Sequence, residues 1–225
     1  MVAGWLWAAA ALVPVSAPAS SFLYNMGDVY SGTEPTPATG PWTQALFEDV
    51  APGEVRLTLS NPNLTGNENV DEWYFNLNPS LNPANLVFTF VGESGSFSKP
   101  QIKEGANRFK AGGGGEYDIR FQFAEGGSAC TRFTAGESVV YDISGIPNLD
   151  AADFAYLSAP AGGAGPFYAA AHVQRIGCNS ASAWLAPTNN EPTPVPEPGP
   201  TLLCLLAGGV WLVLRWAKRR TTSRQ

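Results

Sequence analysis

The chain has 225 residues and carries 19 acidic against 13 basic side chains, a formal net charge of −6. The imbalance is concentrated. All 19 acidic residues lie between Asp28 and Glu197 with only 8 of the basic ones, an excess of 11 negative groups, while the other 5 basic residues follow Leu214. Such a body repels phosphate backbones, which excludes nucleic acid as a partner, and its charge favours a soluble domain that resists self-association.

From the N-terminus, Met1 to Pro18 is apolar and has no charged side chain. Ala17-Pro18-Ala19 has the small-x-small form that precedes a signal peptidase site. Residues 1–19 therefore read as a helical signal peptide cleaved after Ala19, with Ala17 as the alternative bond.

Residues 20–186 have the length of one domain and alternate in polarity with the two-residue period of half-buried strands. Val55, Leu57 and Leu59 alternate with Arg56, Thr58 and Ser60. Trp73, Phe75 and Leu77 alternate with Tyr74, Asn76 and Asn78. Leu86, Phe88 and Phe90 follow a turn-like Asn78–Pro83. Tyr117, Ile119, Phe121 and Phe123 come next, then Val139, Tyr141 and Ile143, Phe154 to Leu157, Ala169 to Ile176, and Ala183 to Leu185. Gly, Pro and Asn clusters punctuate these runs. Eight or so short strands of this kind predict an all-β fold, an antiparallel β-sandwich of jelly-roll or immunoglobulin-like type.

Several polar groups in the body are candidates for chemistry. Asp71, Glu72, Asp118, Asp142, Asp150 and Asp153 could supply oxygens to calcium, but no Asp-x-Asp-x-Asp-Gly spacing occurs, and solvated turn carboxylates are the favoured reading. Asp71-Glu72 could be a glycosidase pair, although any acidic β-domain offers such neighbours. Trp73 and Tyr74, with Phe167-Tyr168, could stack on sugar rings, against the commoner role of strand aromatics as core. His172 and Gln174 share one face of a predicted strand, and a hydrogen-bonded structural histidine is favoured over a ligand. Gly112 to Gly115 lacks the Gly-Lys-Ser/Thr that would follow in a phosphate loop and reads as a flexible hairpin turn. No catalytic set, metal set or cofactor is assigned.

Residues 187–195 are proline-rich and read as an extended linker. Then come Pro196-Glu197-Pro198, an apolar stretch from Thr201 to Ala217, and the basic residues Arg215, Lys218, Arg219, Arg220 and Arg224. As a helix the 17-residue stretch spans roughly 25 Å at about 1.5 Å per residue, the short limit for a hydrocarbon core of about 30 Å. Gly208 and Gly209 suit a membrane helix, and the basic end 218–225 orients the C-terminus to the cytoplasm.

In these three parts the tail resembles the C-terminal signal of PEP-CTERM proteins of Gram-negative bacteria, a signal also known under an ice-binding protein C-terminal name. The resemblance covers 196–220. It implies an inner-membrane precursor with an outside ectodomain, recognition of Pro196, Glu197 and Pro198 by an exosortase, and transfer to the cell surface or extracellular matrix. The body also looks like a recurrent ectodomain of that class at Asp71–Leu77, Phe109–Gly115, Tyr117-Asp118-Ile119 and Ala171–Gln174. Relatives often carry Asp between the glycines, which Gly113 to Gly115 do not.

In an oxidising compartment the two body cysteines, Cys130 and Cys178, would form one disulfide. Closing a loop of 48 residues, it would add about 3–4 kcal/mol in the chain-entropy model. A nucleophilic cysteine served by His172 is the weaker alternative. The resulting function is a non-enzymatic surface or matrix protein associated with exopolysaccharide or biofilm. A carbohydrate-, calcium- or ice-binding adhesin is the alternative and an exported hydrolase the third.

Overall fold

A computed structural model describes residues 20–195. Its twelve strands are β1 (Ser21–Gly32), β2 (Thr43–Ala51), β3 (Glu54–Ser60), β4 (Asn69–Phe75), β5 (Val87–Ser94), β6 (Gln101–Lys110), β7 (Glu116–Gln122), β8 (Phe133–Thr134), β9 (Ser138–Ser144), β10 (Ala169–Ile176), β11 (Ala181–Pro187) and β12 (Thr193–Pro194). Among the described residues there is no α-helix, and no helix long and apolar enough to cross a membrane. The signal peptide, the sorting motif, the span 201–217 and the basic residues Arg215, Lys218, Arg219 and Arg220 lie outside the described residues.

The fold is all-β and every pairing is antiparallel. It is not divided into the two facing sheets of the expected sandwich. One sheet runs in the order β5-β9-β3-β2-β1-β11-β10-β4-β7-β6, with β12 added beside β1 and β8 beside β4, and it curls into a nearly closed barrel. Near its two ends, aromatic rings pack on each other across the interior. Phe88 of β5 packs edge-on against Phe121 of β7 at 5.5 Å, and Phe121 does the same against Tyr141 of β9 at 5.6 Å.

Alternation fills the interior. Phe22, Tyr24 and Met26 of β1, Ala45 and Phe47 of β2, and Val55, Leu57 and Leu59 of β3 are buried, while their neighbours turn outward. Phe47 sits at the centre, stacked on Phe22 at 5.2 Å and Phe154 at 4.9 Å, and edge-on to Phe75 of the opposite wall at 5.2 Å. Each such ring contributes about 1.5–3 kcal/mol by burial, plus about 0.5–1.5 kcal/mol for a well-oriented pair.

Two segments differ from their expected form. Phe154 to Leu157 is not a strand. Asp150 and Asp153 form a reciprocal cap around a single 3-10 turn, Ala151–Phe154, and local capping overrides a short apolar run. Residues 187–195 are not a free spacer. Pro187 ends β11, and Thr193 and Pro194 pair with Leu23 and Phe22. Pro194 is tolerated because β12 is an edge strand. The backbone N–H of Val195 donates to Ser21 O at 3.1 Å, so the two ends of the described fold lie side by side.

Candidate functional site

The site is built by an irregularity in β4. His172 of β10 pairs with Glu72, but the next residue, Val173, pairs with Val70. Asp71 is the extra residue, so Asp71 and Glu72 together oppose His172. In a regular strand one of any two neighbours points inward. Here Val70 and Trp73 both enter the core, and the bulge lets the two carboxylates between them share the outer face.

His172 Nδ1 stands 2.9 Å from Asp71 Oδ1, with the two side chains 15% and 2% exposed. Oδ1 nevertheless has no hydrogen-bond partner, so the approach is a close polar contact without hydrogen-bond alignment. The other oxygen, Oδ2, accepts from Gln174 Nε2 at 2.6 Å. Glu72 is held in the same manner. Its Oε2 accepts from the Tyr74 hydroxyl at 2.8 Å, and Oε1 lies 3.6 Å from Arg120 Nη1. The indole of Trp184 stacks on the His172 ring at 4.4 Å.

Burial raises the Glu72 carboxyl above its ordinary pKa. The Tyr74 hydrogen bond opposes that shift, Asp71 adds to it, and Arg120 and His172 oppose it. Burial, and then the hydrogen bond to Glu72, push the Tyr74 hydroxyl far up. One ligand atom from each of Asp71, Glu72 and His172 lies within 4.8 Å of the others, the one such group among the described residues.

The remaining candidates are dispersed. Asp118 accepts backbone N–H bonds from Leu77 and Asn107. Asp142 pairs with Arg56 at 2.8 Å, and Asp150 and Asp153 cap their turn. Trp73 is fully buried in the main core, and Tyr74 is 2% exposed within a smaller outer cluster, so neither presents a face to a sugar. Phe167 packs on Tyr30 at 4.7 Å, and Tyr168 lies 6.4 Å from Tyr24.

The expected disulfide is absent. Cys130 and Cys178 are both free and exposed. Cys130 lies in the 3-10 turn Ala129–Thr131 between β7 and β8, and Cys178 in the turn that joins β10 to β11, each with its thiol turned to solvent rather than to the other.

Gly112 to Gly115 form the β6–β7 turn as expected, but the turn is packed. Gly114 N donates to Ala111 O at 2.6 Å, Gly114 and Gly115 are buried, and Gly112 lies against Trp184. Asp71, Glu72, His172 and Gln174 were each visible in the sequence. The contributions of Tyr74, Arg120 and Trp184 were not, because Tyr74 meets Arg120 only through the β4–β7 register and His172 meets Trp184 only through the β10–β11 register. Comparison of the chain with protein-family models, curated proteins and solved structures gives no match.

Proposed function

We propose that this chain is an exported, non-enzymatic surface or extracellular-matrix protein of a Gram-negative bacterium. It is made as an inner-membrane precursor, sorted by an exosortase after signal peptidase cleavage, and associated with exopolysaccharide or biofilm. The observation that carries this reading is the order Pro196-Glu197-Pro198, apolar 201–217, then Arg215, Lys218, Arg219 and Arg220. The acidic body supports it, since a negatively charged domain stays soluble once released.

The described fold is compatible with processing at both ends. Ser20, the first residue after the expected signal-peptide cleavage, donates its backbone N–H to Asp49 at 2.8 Å. At the other end Val195 is hydrogen-bonded to Ser21, one residue before the motif. Cleavage after Ala19 and near Pro196 would leave every strand of the sheet intact.

The test is replacement of Pro196, Glu197 and Pro198 by alanine in the native host. Export should continue while the full-length precursor stays in the inner membrane. Normal processing and release of the variant would refute the reading. Intact mass of the wild-type product should show a chain ending near Pro196 to Pro198 that lacks 201–225.

A further inference from the structure

We propose that Asp71, Glu72 and His172 bind one divalent transition-metal ion of the zinc class on the outer face of β4 and β10. The site does not depend on the sorting reading. Asp71 Oδ1 belongs to a side chain only 2% exposed, points at His172 Nδ1 and receives no hydrogen bond. A buried carboxylate oxygen without a donor carries an uncompensated desolvation cost, and a cation bridging it to the His172 nitrogen 2.9 Å away would offset that cost.

The surroundings have the form of a metal site's supporting shell. Each carboxylate has one oxygen fixed by a neighbour, Asp71 Oδ2 by Gln174 and Glu72 Oε2 by Tyr74. That leaves Asp71 Oδ1 and Glu72 Oε1 as the ligating atoms. Trp184 fixes the plane of the imidazole. Partners of this kind orient ligands and raise affinity by about 10- to 100-fold.

The donor set selects the metal. Calcium takes six to eight oxygens, and this group offers two carboxylates and a nitrogen. Zinc-class ions accept mixed nitrogen and oxygen donors at about 2.0–2.2 Å, with three protein ligands and water completing a tetrahedron. Tetrahedral donors then stand about 3.4 Å apart. The observed set spans 2.9 Å to at most 4.8 Å, which brackets that spacing. Arg120, 3.6 Å from Glu72 Oε1, competes with the ion for that oxygen.

The experiment titrates the full chain in detergent with Zn²⁺, and separately with Ca²⁺, by calorimetry. The background is Cys130→Ser, Cys178→Ser and Cys204→Ser, so that no thiol contributes. One Zn²⁺ per chain is expected, with a raised melting temperature and Zn²⁺ bound more tightly than Ca²⁺. His172→Ala should weaken binding at least tenfold. Gln174→Leu, which only removes orientation, should weaken it about 10- to 100-fold. Arg120→Gln should tighten it by removing the competitor. Metal-free melting curves establish which variants are folded, and if His172→Ala is not, Arg120→Gln decides. No zinc uptake, preference for Ca²⁺, equal uptake by folded His172→Ala, or unchanged or weaker uptake by Arg120→Gln would each overturn the proposal.

Discussion

Three glycine substitutions in the β6–β7 turn separate backbone strain from close packing beside the candidate site. Gly112 has φ +48°, and a Cβ there would fall inside the van der Waals radius of the Trp184 indole. Gly113 has φ +86° but its nearest neighbour would be 3.6 Å away, while Gly114 shows no left-handed φ and would meet the Tyr30 hydroxyl at 2.9 Å. Left-handed backbone costs alanine about 1–2 kcal/mol, and forcing a methyl into a packed site costs about 1–3 kcal/mol. Gly113→Ala should therefore lose about 1–2 kcal/mol through strain alone, and Gly114→Ala about 1–3 kcal/mol through crowding alone. Gly112→Ala bears both and should lose about 2–5 kcal/mol. The unfolded-state gain from replacing glycine, about 0.4–1 kcal/mol, is common to all three and cancels in the comparison. Urea denaturation of the three variants gives the differences from the midpoints. If Gly112→Ala falls within about 0.5 kcal/mol of Gly113→Ala, the additivity limit for independent effects, the turn is not packed on Trp184 and the support claimed for His172 fails.

Alkali offers a second check. Burial, and then Glu93, push the Tyr141 hydroxyl from 10.0 up to about 12. Its contribution to stability is fully present below pH 10 and is lost as pH rises through about 12, because the unfolded chain ionises first. Tyr141→Phe should make the alkaline fall in stability shallower over that window, by up to about 1.4 kcal/mol per pH unit; an unchanged slope would count against the burial of this hydroxyl. Tyr24, Tyr30, Tyr74 and Tyr117 are raised in the same direction. The cysteines make a third test: alkylation of the native protein without reductant should label both Cys130 and Cys178, and labelling that appears only after reduction would restore the disulfide.

The strand content and much of the core were readable from alternation alone. Val55, Leu57 and Leu59, and Ile119, Phe121 and Phe123, are buried as expected. Barrel closure was not readable, because a two-residue period says which side chains face inward and not which sheet edges meet. That information lies in pairs far apart in sequence, such as Phe88 with Phe121. Other strands escaped for local reasons. Leu23 in β1 and Leu46 in β2 turn outward between buried residues and blur the alternation. In β6, Gly105 and Asn107 fall within a register shift between Glu104 and Phe109. The docked tail was missed because its prolines argue for extension, while what holds it, an edge pairing with β1, is a tertiary fact.

The site follows a different logic. Asp71, Glu72, His172 and Gln174 stand about a hundred residues apart in two pairs, and neither pair alone says more than a polar strand position does. Their convergence depends on the register of β4 against β10, which pairs His172 with Glu72 and which the sequence does not state. One trace of it can nevertheless be read. Val70 and Trp73 are both inward positions three residues apart, and a strict two-residue period cannot place both there. An extra residue is required between them, and the two residues it frees are the two carboxylates. A polar doublet between inward apolar residues at that spacing is a bulge signature. It converts an apparent flaw in alternation into the reason that two acidic side chains can face one histidine.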